Sequence, residues 1–170
     1  MYAQATQDQF INIITQNKKL IFKVCNSYCK NADDRQDLVQ EVIIRLWQAF
    51  GKYDNRYKLS TWMYRIALNT AISHYRSGKR REQSTVPLSE SLLDIADENV
   101  EVELDEQVKQ LHLFIRQLDE LNRGLMILYL DNNSYKEIAE VLGISETNVA
   151  TRISRVKQQL KNQFTKILTP

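Results

Sequence analysis

The sequence predicts an all-α protein made of two small helical domains joined by an acidic linker. Three observations predict it. Four glycines and two prolines in 170 residues leave few helix breakers. No long stretch alternates β-branched with polar residues, as a half-buried strand would. Apolar residues recur at three- and four-residue spacing in two blocks, and the stretch between them is too poor in apolar residues to form a core. The domains are expected at residues 1–82 and 106–170, with the linker at 83–105.

From Gln9 to Cys29 the residues Phe10, Ile13, Ile14, Ile21, Val24 and Cys25 fall mainly at helical spacing. Asn31 to Asp34 interrupts the pattern and offers N-caps. A helix from about Asp34 to Phe50 follows, with a core side of Leu38, Val39, Val42, Ile43, Leu46, Trp47 and Phe50, and it stops at Gly51. After the polar loop from Lys52 to Lys58, Ser60 or Thr61 is placed to cap a helix containing Trp62, Ile66, Ala67 and Ile72, which fades near Gly78. Beyond the linker, Leu111, Phe114, Ile115 and Leu118 mark one helix. Asp119 is placed to cap the next, whose apolar side includes Leu125, Ile127, Leu128 and Leu130. Asn132 and Asn133 suit a turn, since asparagine tolerates left-handed backbone. Tyr135 to Leu142 and about Glu146 to Phe164 complete the chain.

The formal net charge of +2 conceals a segregation. Residues 1–82 hold 14 basic and 7 acidic side chains, residues 83–110 hold 1 and 8, and residues 111–170 hold 8 and 6. A basic lobe, an acidic connector and a mildly basic lobe suggest different partners for different segments, although acids can also serve only to keep a linker solvated. No apolar run approaches the roughly 20 residues needed to cross a bilayer, and the first ten residues lack a signal-peptide pattern. A cytoplasmic protein with no membrane insertion is expected. Cys25 and Cys29 have no second pair, and neither His74 nor His112 is clustered with them. They are expected to be core thiols, with no metal site and no cofactor.

The strongest motif is Ser134 to Lys157. Ser134 and Glu137 have capping-box spacing. Ile138, Ala139 and Leu142 are expected inside, Ala139 being small where two helices cross. Gly143 supplies a left-handed turn, Ile144 enters the core, and Ser145 caps a second helix with a buried stripe of Val149, Ile153, Val156 and Leu160. This is a helix-turn-helix, with helices at roughly 90–120°. The opposite face of its second helix offers Thr147, Asn148, Thr151, Arg152, Ser154 and Arg155 to a major groove. Arg155, Lys157 and Lys161 suit phosphates, and the hydroxyls and amide near the helix start suit bases. A plain helical hairpin with a solvated polar face is the alternative, and Ala139, Gly143 and Val149 at their mutual offsets favour the helix-turn-helix over it.

In the first block, the helix from Asp34 has a second face of Asp37, Gln40, Glu41, Ile44, Arg45 and Gln48. It suits docking on a protein, or simply solvent. The loop and helix that follow interleave Tyr53, Tyr57, Trp62, Tyr64 and Tyr75 with Arg56, Lys58, Arg65, Arg76, Lys79, Arg80 and Arg81. Aromatics that stack on unpaired bases beside cations that track the backbone commonly hold single-stranded nucleic acid. Some of these rings must be core, Trp62 first among them.

Asp37-Leu-Val-Gln-Glu41 with Leu46-Trp47, then Thr61-Trp-Met-Tyr-Arg-Ile-Ala67 with Asn69-Thr-Ala71, resembles the second conserved region of extracytoplasmic-function sigma factors of the sigma-70 family. Ser134-Tyr-Lys-Glu-Ile-Ala139 and Leu142-Gly-Ile-Ser145 resemble their fourth region. The resemblance spans nearly the whole chain. It implies a factor that binds core RNA polymerase and directs promoter-specific initiation. Asp37, Gln40, Glu41, Ile44 and Arg45 would dock on the clamp coiled coil of the largest polymerase subunit. Lys58, Trp62, Tyr64, Arg65, Asn69, Arg76 and Arg80 would meet the minus-ten element and capture a flipped base. Thr147, Asn148, Thr151, Arg152, Ser154, Arg155 and Lys157 would meet the minus-thirty-five element. The acidic connector, with Glu98, Glu101, Glu103, Asp105 and Glu106, would thread the polymerase near its active-site cleft. Promoter DNA, core polymerase and an anti-sigma factor are the implied partners, with no small-molecule substrate. Three positions depart from the pattern. Met63 stands where housekeeping members tend to have a second tryptophan, Asp119 where proline is common, and Ala150 where a basic residue is frequent.

Two other classes compete. A helix-turn-helix regulator acting without polymerase accounts for Ser134 to Lys157 but leaves the first block without a purpose. A small nuclease would need a metal cluster or an activated nucleophile. Asp33, Asp34 and Asp37 are the only residues that suggest a cluster, and capping and docking explain them more simply.

Overall fold

The computed structural model describes residues 2–78 and 105–168, and the chain divides into two compact units, residues 1–100 and 101–170. All regular structure among the described residues is helical. Unit 1 contains α1 (Tyr2–Gln16), α2 (Lys18–Tyr28), α3 (Ala32–Phe50) and α4 (Leu59–Gly78). Unit 2 contains α5 (Glu106–Gln117), α6 (Glu120–Leu130), α7 (Tyr135–Leu142) and α8 (Glu146–Leu168). Most of the acidic linker, with Glu98, Glu101 and Glu103, lies outside the described residues, as do Lys79, Arg80 and Arg81. Asp105 and Glu106 begin the described part of unit 2, at the N-cap and first position of α5.

In unit 1, α2, α3 and α4 pack on one another and α1 lies against α3. The core is Ile21, Val24, Cys25, Leu38, Val42, Leu46, Met63, Tyr64, Ala67, Leu68 and Ala71. Each large aliphatic side chain buried here contributes roughly 1.5–3 kcal/mol. The helical stretch from Gln9 to Cys29 is two helices. Asn17 donates its side-chain amide to the Ile13 carbonyl at 2.8 Å, and its backbone N–H reaches the Ile13 and Ile14 carbonyls. It thereby satisfies the end of α1 locally, as asparagine does where it competes with helix continuation. Asn31 caps α3 by accepting from the Asp34 N–H at 2.8 Å, and its amide donates to the Asp34 carboxylate.

Two local expectations are corrected. Trp47 is 44% exposed, with its ring edge against Phe10 at 5.0 Å, so it flanks the core. The helix after the loop starts at Leu59, before Ser60 and Thr61, and Thr61 is buried inside it. The helix before the loop does stop at Gly51, which caps it with right-handed backbone, and the left-handed turn of the loop falls at Asn55 (φ 62°).

Unit 2 is built around α6, whose Leu125, Met126, Ile127 and Leu128 are buried among Phe114, Ile115, Leu118, Ile138, Val141, Val149, Ile153 and Val156. Asp119 caps α6 through the Asn122 N–H at 2.9 Å. Leu130, expected on the apolar side, is 47% exposed because α6 ends there and Asn132 (φ 62°) turns the chain away. Asn133 closes the helix end by donating to the Leu128 carbonyl at 2.9 Å. Buried Arg123 donates to the carbonyls of Arg116 (2.7 Å) and Leu118 (3.0 Å), clamping the C-terminus of α5 onto α6. Among the described residues no helix is long and apolar enough to cross a membrane.

Candidate nucleic-acid interface

The helix-turn-helix forms as its spacing requires. The Ser134 hydroxyl accepts from the Glu137 N–H at 3.1 Å, and the Glu137 carboxylate accepts from the Ser134 N–H at 3.0 Å. Gly143 stands at φ +70°, and its N–H closes on the Ala139 carbonyl at 2.9 Å. Ser145 starts α8 by accepting from the Asn148 N–H at 3.1 Å. Val141 takes the fully inward place, with Leu142 and Ile144 half-buried beside it.

Val149, Ile153 and Val156 turn one side of α8 into the core. Thr147, Thr151, Ser154 and Arg155, at three- and four-residue spacing, are exposed on the other side. Gln158 continues that face one turn further; the periodicity that picked out Ser154 also points to it. Asn148 and Arg152 occupy one flank, half-buried and bonded to each other, the Arg152 Nε donating to Asn148 Oδ1 at 2.9 Å.

Lys157 is not brought to this group. Its ammonium lies 4.5 Å above the Tyr129 ring. Its pKa is raised, chiefly by hydrogen bonding to the Tyr129 hydroxyl. It lines a groove between α5 and α8 with Val108, Leu111 and Phe164. Nothing in the sequence pattern pairs Lys157 with Tyr129, because they meet only through the packing of α6 on α8.

In unit 1, Trp62, Arg65, Asn69 and Arg76 are separated by three, four and seven residues and so share one side of α4. Arg65, Asn69 and Arg76 are exposed. Lys58 stands exposed at the head of the helix. Tyr64 is a correction. It lies on the opposite side of α4 and is fully buried, so its ring belongs to the core and offers nothing to a base. Tyr75 packs edge-on against Tyr28 at 6.2 Å. Trp62 is half-buried, 4.9 Å from Tyr53 and 6.5 Å from Phe50. The Tyr53 hydroxyl donates to the Tyr57 carbonyl at 2.9 Å, so the loop is folded onto the start of α4. Tyr57, 42% exposed, is the ring left open to solvent beside the basic stripe.

The second face of α3 presents Asp37, Gln40, Glu41, Ile44 and Arg45. Ile44 is 54% exposed at its centre. Arg45 pairs with Glu41 at 3.1 Å. Burial, then the Asp34 charge, pushes the Asp37 carboxyl above its ordinary range, while His74 acts the other way. Burial likewise pushes both thiols up, Cys25 far above its ordinary value and Cys29 to about 12. Cys25 is buried and Cys29 half-buried.

One unit carries a helix-turn-helix with an exposed hydroxyl-and-arginine face, and the other carries a basic stripe on α4 and a mixed polar face on α3, features that suit a DNA-binding transcription protein. Residues 13–81 match the model of sigma-70 region 2, and residues 109–160 match that of sigma-70, region 4. The chain is 29% identical to the ECF RNA polymerase sigma factor SigW of Bacillus subtilis, over 93% of this chain and 90% of that protein. It is 33% identical to the RNA polymerase sigma factor HrpL of Pseudomonas syringae pv. syringae, over 79% of this chain and 76% of that one. In fold it is similar to CnrH, solved with the cytosolic domain of CnrY (TM-score 0.65, 22% identity, 96% of this chain and 94% of that chain). It is also similar to the sigma factor RpoE, solved with the anti-sigma factor NepR from Bartonella quintana (TM-score 0.67, 18% identity, 94% and 96%). The chain belongs to the extracytoplasmic-function group of the sigma-70 family, the transcription initiation factors that bind RNA polymerase and direct it to promoters.

Proposed function

We propose that residues 1–82 dock on core polymerase and engage the minus-ten element, that residues 106–170 engage the minus-thirty-five element, and that residues 83–105 link them. Docking is assigned to Asp37, Gln40, Glu41, Ile44 and Arg45. The minus-ten contact is assigned to Lys58, Trp62, Arg65, Asn69 and Arg76, together with Arg80, which lies outside the described residues. The minus-thirty-five contact is assigned to Thr147, Asn148, Thr151, Ser154 and Arg155, with Arg152 on the flank; Lys157, held against Tyr129, is left out of it.

One observation carries this reading: the DNA-suited side chains lie on the outer faces of α4 and α8, opposite the core side chains that fix each helix in its unit. Flipping a base out of the stack costs a few kcal/mol, which a half-buried Trp62 beside exposed cations is suited to offset. The protein acts without catalysis of its own and works in the cytoplasm. An anti-sigma factor as partner is supported by the two similar structures: RpoE was solved with the anti-sigma factor NepR, and CnrH with the cytosolic domain of CnrY.

Run-off transcription with core polymerase on a genomic promoter library tests the reading. Discrete new transcripts sharing two upstream elements are expected. Duplex binding with neither polymerase binding nor initiation would replace it with a regulator that acts alone.

A further inference from the structure

The side chains of Asn148, Arg152 and Asn122 form a relay between α8 and the first turn of α6. Arg152 Nε donates to Asn148 Oδ1 at 2.9 Å, and Arg152 Nη1 donates to Asn122 Oδ1 at 3.1 Å. Asn122 Nδ2 donates to Asp119 Oδ2 at 2.8 Å, on the same aspartate that caps α6. The direction of every bond is fixed chemically. A guanidinium has only donors, so the amide atom facing it must be the oxygen. An ionised carboxylate only accepts, so the amide atom facing Asp119 must be nitrogen. Asn148 is therefore held with Oδ1 on Arg152 and Nδ2 on the arm directed away. Its backbone N–H is also fixed, on the Ser145 hydroxyl at 3.1 Å. It sits in the first turn of α8, the part of a recognition helix that enters the major groove.

We propose that Arg152 is a positioning residue anchored by Asn122, and that it holds Asn148 so that the Nδ2 amide donates to a base-edge acceptor in the upstream promoter element. This rests on the reading that unit 2 engages that element. An asparagine that reads adenine bidentately uses both amide arms. Asn148 Oδ1 already accepts from Arg152 and Nδ2 is the donor directed outward, so the base pair it meets presents an acceptor to that nitrogen: purine N7, guanine O6 or thymine O4. Arg152 spends its Nε and one terminal nitrogen inside the unit, unlike exposed Arg155.

The test uses holoenzyme assembled from the full chain and core polymerase, on a promoter recovered by run-off transcription and on the set of its single base-pair substitutions upstream. Binding is measured across salt concentrations for wild type, N148A, R152A, N122A and R155A. N148A is expected to flatten discrimination at one base pair by about 10-fold. R152A and N122A flatten the same base pair, and the N148A/R152A double variant is no worse than its worse single. The proposal is overturned if R152A weakens every duplex alike and lowers the salt slope by about one while N122A matches wild type, because Arg152 is then a phosphate contact. N122A leaves α8 unaltered and so decides the matter even where circular dichroism shows R152A partly unfolded. Failure of the underlying reading looks different: neither upstream substitutions nor R155A would change wild-type binding.

Discussion

His74 Nδ1 lies 3.5 Å from Glu41 Oε2, joining α4 to the polar face of α3. Glu41 also takes the Arg45 guanidinium at 3.1 Å, so it is held from both sides. Asp37, one turn earlier, carries the burden of burial beside Asp34 and Asp33. One face thus bears a well-partnered carboxylate and a penalised one, an arrangement suited to a surface that another protein completes.

Asp37→Asn is accordingly expected to stabilise the free protein and weaken its association with polymerase. With the folded pKa raised, folding is favoured where the carboxyl is protonated, and that advantage is lost as pH rises through the folded value. The asparagine variant should melt about 1–2 °C higher at pH 7. The difference should vanish below about pH 3.8, the ordinary value for the group. Melting curves at both pH values, with a polymerase-binding titration of the two proteins, check it.

The two sides of α4 should separate cleanly. Asn69→Ala and Arg65→Ala alter exposed positions and should shift stability by less than about 0.5 kcal/mol, while promoter-dependent initiation falls about 10-fold or more. Tyr64→Ala removes a fully buried ring and should cost about 3–5 kcal/mol. Circular dichroism melts beside run-off assays distinguish the outcomes. Equal loss of stability in all three would contradict the assignment of faces.

Gly143→Ala tests the turn. A Cβ there meets no atom within 4 Å, so the cost is that of the left-handed backbone alone. Unit 2 should lose about 1–2 kcal/mol in denaturant unfolding, and Gly143→Asn less, because asparagine visits that region more readily.

Patterns internal to one helix were legible in the sequence. The Ser134–Glu137 capping box, the Gly143 turn, the Asp119 cap and the stripe of Val149, Ile153 and Val156 each depend on neighbours within a few residues, and each stands in the structure. Relations between helices were not. Tyr64 reads as a DNA-facing aromatic because composition does not say which side of α4 faces α2 and α3. The Lys157–Tyr129 and Arg152–Asn122 contacts span 28 and 30 residues, so they follow from packing rather than spacing. The break at Asn17 eluded periodicity because the apolar rhythm continues through it.

Given the minus-ten contact proposed for Lys58 and Trp62, the tilted Tyr53–Trp62 ring contact, with the Tyr53 hydroxyl on the Tyr57 carbonyl, has a consequence for promoter choice. Fixing a backbone residue costs about 1–2 kcal/mol, and here the loop takes that cost during folding rather than on meeting DNA. A loop shaped in advance cannot remould itself around a poor sequence. Mismatched promoters should then be lost through rapid departure of the complex rather than slow arrival, and stringency becomes a property of residence time.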